Sequence, residues 1–287
     1  LSSILFYKSL INFNFSRITS ILSTTFIVCN PFLVFWVHVL NHAGITIGLF
    51  MISFFFLSKY KQGIIYKILF FIFIFLTLKV DGKVFFTVFM ILFYQFYLIE
   101  KNKTKHNFFI LSVFFIFYLL YLNHFAMTLE PFTSIYFQND LIKNGFDFIT
   151  IDEGAMKTFN KCSIDYLNSL SNHFCALLDN PFYSIKVYLA RLFMLLTWIN
   201  PYLSFKYNFF AVGMMIFIYF GLSIDLLKTK FTKFKFFLLS SYVLTSVSLL
   251  PYLIRGDQKP VFYGLIFVIP LCFSGYEIMF NYIKKKR

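Results

Sequence analysis

Residues 208–235 read NFFAVGMMIFIYFGLSIDLLKTKFTKFK. The first twenty positions form an apolar run of the length that crosses a bilayer core of about 30 Å. The last eight hold Lys228, Lys230, Lys233 and Lys235 and no acid. An apolar span closed by a basic turn is the pattern that the rest of the chain repeats.

Working outward, further spans are expected at about Ile18–Trp36, Ala43–Ser58, Ile64–Leu78, Val84–Leu98, Asn107–Met127, Phe236–Ile254 and Val261–Tyr282. Asn30-Pro31 interrupts the first of these and is expected to kink it or tighten its exit, because proline supplies no amide donor. Short polar turns separate the spans: Lys59-Tyr60-Lys61, then Lys79 to Lys83, then Glu100 to Lys105, and Arg255 to Pro260. The chain starts at Leu1, and residues 1–7 read as the tail of an apolar segment that begins upstream. A fragment lacking its true N-terminus is expected.

Of the 287 residues 59% are hydrophobic and 13% charged, more apolar surface than a soluble domain of this length requires. The formal charge of +14 does not point to nucleic acid, because the lysines punctuate apolar spans and form no single patch. Phe (46) and Tyr (19) are abundant and Arg is scarce, a usage that fits an AT-rich coding sequence, bacterial or organellar. Cys29 and Cys272 fall in apolar spans and are expected to be small packed residues. Cys162 and Cys175 share one loop. A disulfide there would stabilise by about 3 kcal/mol, and two free thiols are the alternative.

Residues 128–181 break the pattern as a polar, acid-rich stretch, expected to form a small, partly helical cap. Residues 182–199 follow as an amphipathic helix with Lys186 and Arg191 within it. A charge at the bilayer centre costs at least about 2.5 kcal/mol, so this helix is expected to lie in the interface. The expected organisation is therefore all-α: a polytopic transmembrane bundle of about eight spans. It comprises a five-span region at 1–127, the cap at 128–181, the interfacial helix at 182–199 and a three-span region at 200–287. With that helix interfacial, 16 of the 26 Lys and Arg fall on one side with three acids, and 10 fall on the other with nine. Basic loops stay cytoplasmic, so both termini are expected inside, in a bacterial plasma membrane for preference.

The opposite face then presents His38 and His42, the Lys79/Asp81/Lys83 turn, the cap, and the Arg255/Asp257/Lys259 turn. Two cations around one Asp, at headgroup depth, suit a phosphate or pyrophosphate, although ordinary interfacial anchors have the same composition. The two histidines stand one helical turn apart with no third ligand nearby, so capping of the span is preferred to metal binding. Glu130, Asp152 and Glu153 are possible acid/base groups, but acids in an exposed loop are more often solvating charge. Motifs for nucleotides, zinc or a serine nucleophile are missing, so no cofactor or metal is expected.

Several segments resemble the polytopic GT-C glycosyltransferases, the group that includes the protein O-mannosyltransferases and the lipid A aminoarabinose transferase. Asn30-Pro31 through Trp36 is similar to that family's P-x-x-x-x-W/Y end of an early span. Asn180-Pro181-Phe182, followed by Lys186, Tyr188-Leu189 and Arg191-Leu192, looks like its NP…K…YL.R helix. Asn200-Pro201-Tyr202-Leu203-Ser204 with Tyr207-Asn208 fits the continuation of that helix. Arg255 with Lys259-Pro260 looks like the R-x-R-x-P outer turn, with Lys259 where a second Arg is usual. The resemblance covers the family's C-terminal two thirds. It implies sugar transfer from a polyprenyl-phosphate donor to a glycan, lipid or protein acceptor on the outer face. Arg255 and Lys259, with Lys79 and Lys83, would hold the donor phosphate. The family's general-base Asp lies in a loop upstream of Leu1, so no catalytic residue is assigned.

Two other readings compete. A polysaccharide polymerase or a lipid-linked oligosaccharide flippase has many spans too, but calls for a basic outer loop, and 128–180 is net acidic. A non-enzymatic, organelle-encoded membrane subunit that moves protons calls for ionisable groups within the spans, where Glu277 is the nearest case.

Overall fold

The computed structural model describes residues 1–30, 42–81, 84–95, 204–249 and 261–286, together with single positions between 178 and 197. Among these the regular structure is all helical. In chain order the helices are α1 (Ser2–Asn12), α2 (Arg17–Cys29), α3 (His42–Ser58), α4 (Ile64–Val80), α5 (Phe85–Phe93), α6 (Phe205–Lys228), α7 (Lys233–Leu249) and α8 (Val261–Lys286). The chain divides into two compact units, the first made of 1–104, 213–245 and 259–287, the second of 105–212 and 246–258. In the second unit the described positions between 178 and 197 are helical, and Thr197 Oγ1 donates to the Phe193 carbonyl at 2.8 Å.

Local chemistry explains where the helices of the first unit begin and end. Asn14 turns the chain between α1 and α2 at φ 66°, a conformation that Asn tolerates better than most residues. Ser16 then caps α2, its hydroxyl accepting from the Thr19 amide at 3.0 Å. Helix α2 stops at Cys29 because the residue before a proline is pushed out of helical geometry, and Asn30 is extended accordingly. Cys29 is exposed, which corrects its expected packing; Cys272 is buried as expected.

Helices α1 and α3 run in the same direction. Ser2 lies beside Gly48, and the Asn12 amide donates to Ser58 Oγ at 2.9 Å. Phe13 stacks on Phe234 with ring centroids 4.4 Å apart. Glu277 accepts from Ser16 Oγ and from Thr19 Oγ1. These contacts gather the ends of α1, α3 and α8 and the starts of α2 and α7 at one end of the unit. That end carries the basic segments around Arg17, Lys59, Lys233 and Lys284, and is called the basic end below. Asp81 and Tyr263 meet away from it, across 182 residues of sequence.

The core is aromatic and centred on Phe54, which is fully buried. Its ring lies 6.1 Å from Phe6, 6.0 Å from Phe237 and 5.5 Å from Phe267, joining α1, α3, α7 and α8. Such tilted and edge-on pairs each contribute about 0.5–1.5 kcal/mol beyond burial. Polar side chains share this interior. Thr87 and Thr245 are hydrogen-bonded across α5 and α7. Ser20, Ser53, Thr77 and Thr245 are buried and donate to carbonyls four residues back in their own helices.

The outside is apolar by contrast. Ile64, Ile68, Ile72 and Leu76 form a stripe along α4, exposed by 68, 52, 47 and 43%. Among the described residues two helices, Phe205–Lys228 and Tyr263–Lys286, are long and apolar enough to cross a membrane.

The backbones of α6 and α8 come close together where both carry glycine. A Cβ on Gly275 would collide with the Gly221 carbonyl oxygen and lie 2.9 Å from the Asp225 amide. A Cβ on Gly221 would meet the Cys272 carbonyl at 2.6 Å. These neighbours are backbone and cannot swing aside, so a methyl group must separate the helices. Gly275→Ala is expected to destabilise by about 3 kcal/mol or more. Gly213→Ala, where nothing lies within 4 Å, is expected to be neutral or slightly stabilising. Thermal unfolding of the two variants in one detergent measures the contrast.

Candidate functional site

The predicted substrate-binding residues are Lys79, Lys83, Arg255 and Lys259. Of these, only Lys79 lies within the described residues; His38 and the cap acids Glu130, Asp152 and Glu153 lie outside them as well. Lys79 stands in the last turn of α4, exposed, where a cation complements the helix dipole. Asp81, two residues on, is the helix's C-cap. Its amide donates to the Thr77 carbonyl at 3.0 Å, and its carbonyl accepts from the Val84 amide at 3.3 Å.

The two side chains part company at this cap. Asp81 is only 5% exposed, and the fully buried Tyr263 donates its hydroxyl to the Asp81 carboxylate at 2.6 Å. Of the Lys79/Asp81/Lys83 grouping expected at the outer face, the Asp81 carboxylate thus faces inward while Lys79 is exposed. Lys79 makes no ion pair among the described residues.

The tyrosine gives the bond its reach. Tyr263 is the third residue of α8 and follows Lys259 by four positions, while Asp81 sits midway between Lys79 and Lys83. One hydrogen bond thus ties the turn containing the first predicted cation pair to the start of the helix that follows the second. Reading the sequence missed Tyr263. Its only signal was a hydroxyl-bearing aromatic at the start of an apolar run, one of 19 tyrosines.

Two more carboxylates are described, and both bind at the basic end. Asp225 is fully buried although it lies in the apolar run of α6. It accepts from Lys235 Nζ, and Ser274 Oγ donates to its other oxygen at 2.7 Å. Lys235 also donates to Thr229 Oγ1, and Thr229 donates to the Asp225 carbonyl at 2.6 Å. The second is Glu277, held by Ser16 and Thr19. The sequence reading named Glu277 as the ionisable group nearest to a span and passed over Asp225.

The chain matches no protein-family model, no curated protein and no solved structure. Its chemistry therefore has to be argued from its own residues.

The Asp225 cluster makes a direct prediction. Removing one partner of a buried ion pair leaves an uncompensated charge, at a cost of about 3–5 kcal/mol, whereas replacing both by apolar groups is often neutral. Lys235→Met is expected to lower stability by that amount, and Lys235→Met with Asp225→Leu to recover most of it. Unfolding of the single and double variants in detergent gives the coupling between them.

Proposed function

We propose that this chain is a polytopic helical membrane protein of about eight spans with its basic end at the cytoplasm. We further propose that it is glycosyltransferase-like, moving a sugar from a polyprenyl-phosphate donor to a glycan, lipid or protein acceptor on the opposite face. The inside-out distribution of its side chains supports the membrane reading. In water an exposed isoleucine stripe such as that of α4 would be an aggregation surface. In lipid it faces its solvent, and hydroxyl groups belong between the helices. The excess of cations at one end supports the orientation.

The observation that carries the transferase reading is the Tyr263–Asp81 hydrogen bond. Donor binding by four cations from two distant turns requires that those turns converge on one ligand. A buried tyrosine–carboxylate bond between the segments that bear them is the kind of tie such convergence needs. Lys79, Lys83, Arg255 and Lys259 would then supply charge-assisted hydrogen bonds to the donor phosphate. Those bonds strengthen as negative charge builds on the departing phosphate, which is where such groups accelerate transfer. Sequestering Asp81 matters for the same reason, since a carboxylate beside the phosphate would repel it.

Donor binding tests this reading without requiring turnover. Polyprenyl phosphate is titrated into the detergent-solubilised chain. Lys79→Gln and Lys259→Gln are each expected to weaken binding about tenfold, the worth of one hydrogen bond between charged groups. Tyr263→Phe removes the tie and no cation, and should weaken binding by a smaller factor. Unchanged affinity in both lysine variants would exclude a donor site at these turns.

A further inference from the structure

The turn between α6 and α7 combines features that the transferase reading does not use. Leu227-Lys-Thr-Lys-Phe-Thr-Lys-Phe-Lys-Phe236 contains four lysines and no acid. The structure separates these lysines into two kinds. Lys235 is drawn back to Asp225 and is 13% exposed, whereas Lys228, Lys230 and Lys233 are exposed and form no ion pair among the described residues. Apolar side chains are exposed between them: Leu227 by 82%, Phe231 by 60% and Phe236 by 49%.

Among the described residues, the carboxylates at this end are already committed to other partners. Asp225 is buried under Lys235 and Ser274, and Glu277 is bonded to Ser16 and Thr19. The turn therefore presents exposed cations, unpaired among the described residues, interleaved with large apolar groups on a loop joining two apolar helices. Exposed phenylalanine is unfavourable in water and favourable at the boundary between headgroups and acyl chains. Lysine a residue or two away reaches the phosphate layer with its stem still in apolar surroundings.

We propose that this turn is a docking surface for anionic phospholipid headgroups of the leaflet at the basic end. Lys228, Lys230 and Lys233 bind the lipid phosphates, and Phe231 is seated among the acyl chains beneath them. The proposal rests on the membrane reading above but not on sugar transfer. Lys228, Lys230 and Lys233 give the surface its charge, and the internal Lys235–Asp225 pair keeps the Asp225 carboxylate from competing with the lipid for them.

The shared chemistry is a phosphate anion, which either a lipid or free phosphate can supply, and the experiment separates the two. Full-length chain is extracted in a neutral detergent and titrated with short-chain phosphatidylglycerol, short-chain phosphatidylcholine and inorganic phosphate. The expected result is saturable binding of phosphatidylglycerol, much weaker binding of the zwitterionic lipid, and little binding of inorganic phosphate. Each lysine removed should weaken phosphatidylglycerol binding about fivefold. The triple change Lys228→Gln, Lys230→Gln, Lys233→Gln should weaken it on the order of a hundredfold. The corresponding triple change to Arg should retain binding, with helicity by circular dichroism unchanged in both.

Equal affinity for the two lipids, or undiminished binding in the triple Gln variant, would overturn the proposal. So would inorganic phosphate binding as tightly as phosphatidylglycerol. Alkaline carbonate washing of source membranes distinguishes failure of this surface from failure of the membrane reading. A chain that stays in the pellet yet shows no lipid preference refutes only the docking surface, whereas a chain released by carbonate refutes both.

Discussion

In an apolar bundle a buried charge must find its partners inside the protein, and this constraint organises the first unit around α8. Each of the three carboxylates among the described residues is satisfied through that helix. Tyr263 reaches Asp81 at the end of α4, Ser274 reaches Asp225 on α6, and Glu277 takes the hydroxyls of Ser16 and Thr19 at the start of α2. An unpaired carboxylate in such surroundings costs several kcal/mol, far more than a misplaced apolar group. Apolar packing tolerates rotation and sliding of helices, because leucine or phenylalanine can settle into many grooves. Hydrogen bonds to carboxylates do not, so these three, two of them buried and that of Glu277 half-buried, set where α8 stands relative to α4, α6 and α2.

Close packing between α6 and α8 depends on the same arrangement. Gly221 and Gly275 allow the two backbones to touch, and Asp225 lies one turn beyond Gly221, opposite Ser274. Without the glycines the carboxylate would stand too far from Ser274, and without the hydrogen bond the contact would lose its register. Pro270 lies between these groups and Tyr263, within α8, where it removes one amide from the helical ladder. The residues around it, from Leu265 to Cys272, are all buried, so neighbouring side chains rather than lipid surround the interrupted turn.

Element positions were readable from the sequence because they rest on local rules. Apolar runs bounded by charges located α3, α4, α6 and α8 to within a few residues, whereas α2 ends at Cys29, where Asn30-Pro31 was expected to kink a span reaching Trp36 or tighten its exit. The polar contacts were not readable, because they join residues far apart in the chain. Nothing near Tyr263 separates it from the other tyrosines until the fold sets it against Asp81. Asp225 was overlooked for a related reason. One acid at the end of an apolar run looks like part of the next turn, and its burial becomes visible only once Lys235 folds back onto it. Lys83, Arg255 and Lys259 lie outside the described residues, so of the predicted cations only Lys79 can be set against geometry.

The two ends of the unit treat carboxylates alike and differ in what remains. At the Asp81 end an acid from a mixed-charge turn is taken inside by a neutral tyrosine, and Lys79 stays at the surface. At the basic end one lysine is spent inside to hold Asp225, and the other lysines of that turn stay out. The first arrangement leaves the exposed rim more cationic than the sequence of the turn implies, whereas the second withdraws one cation and one acid together and leaves the net charge of the turn unchanged. The reason is physical: carboxylates have short side chains that buried donors can hold, whereas lysine reaches water from a buried stem. Surface charge in such a bundle is therefore set by which acids the interior can satisfy. At the Asp81 end a count of charges along the loop therefore understates how strongly the rim attracts anions.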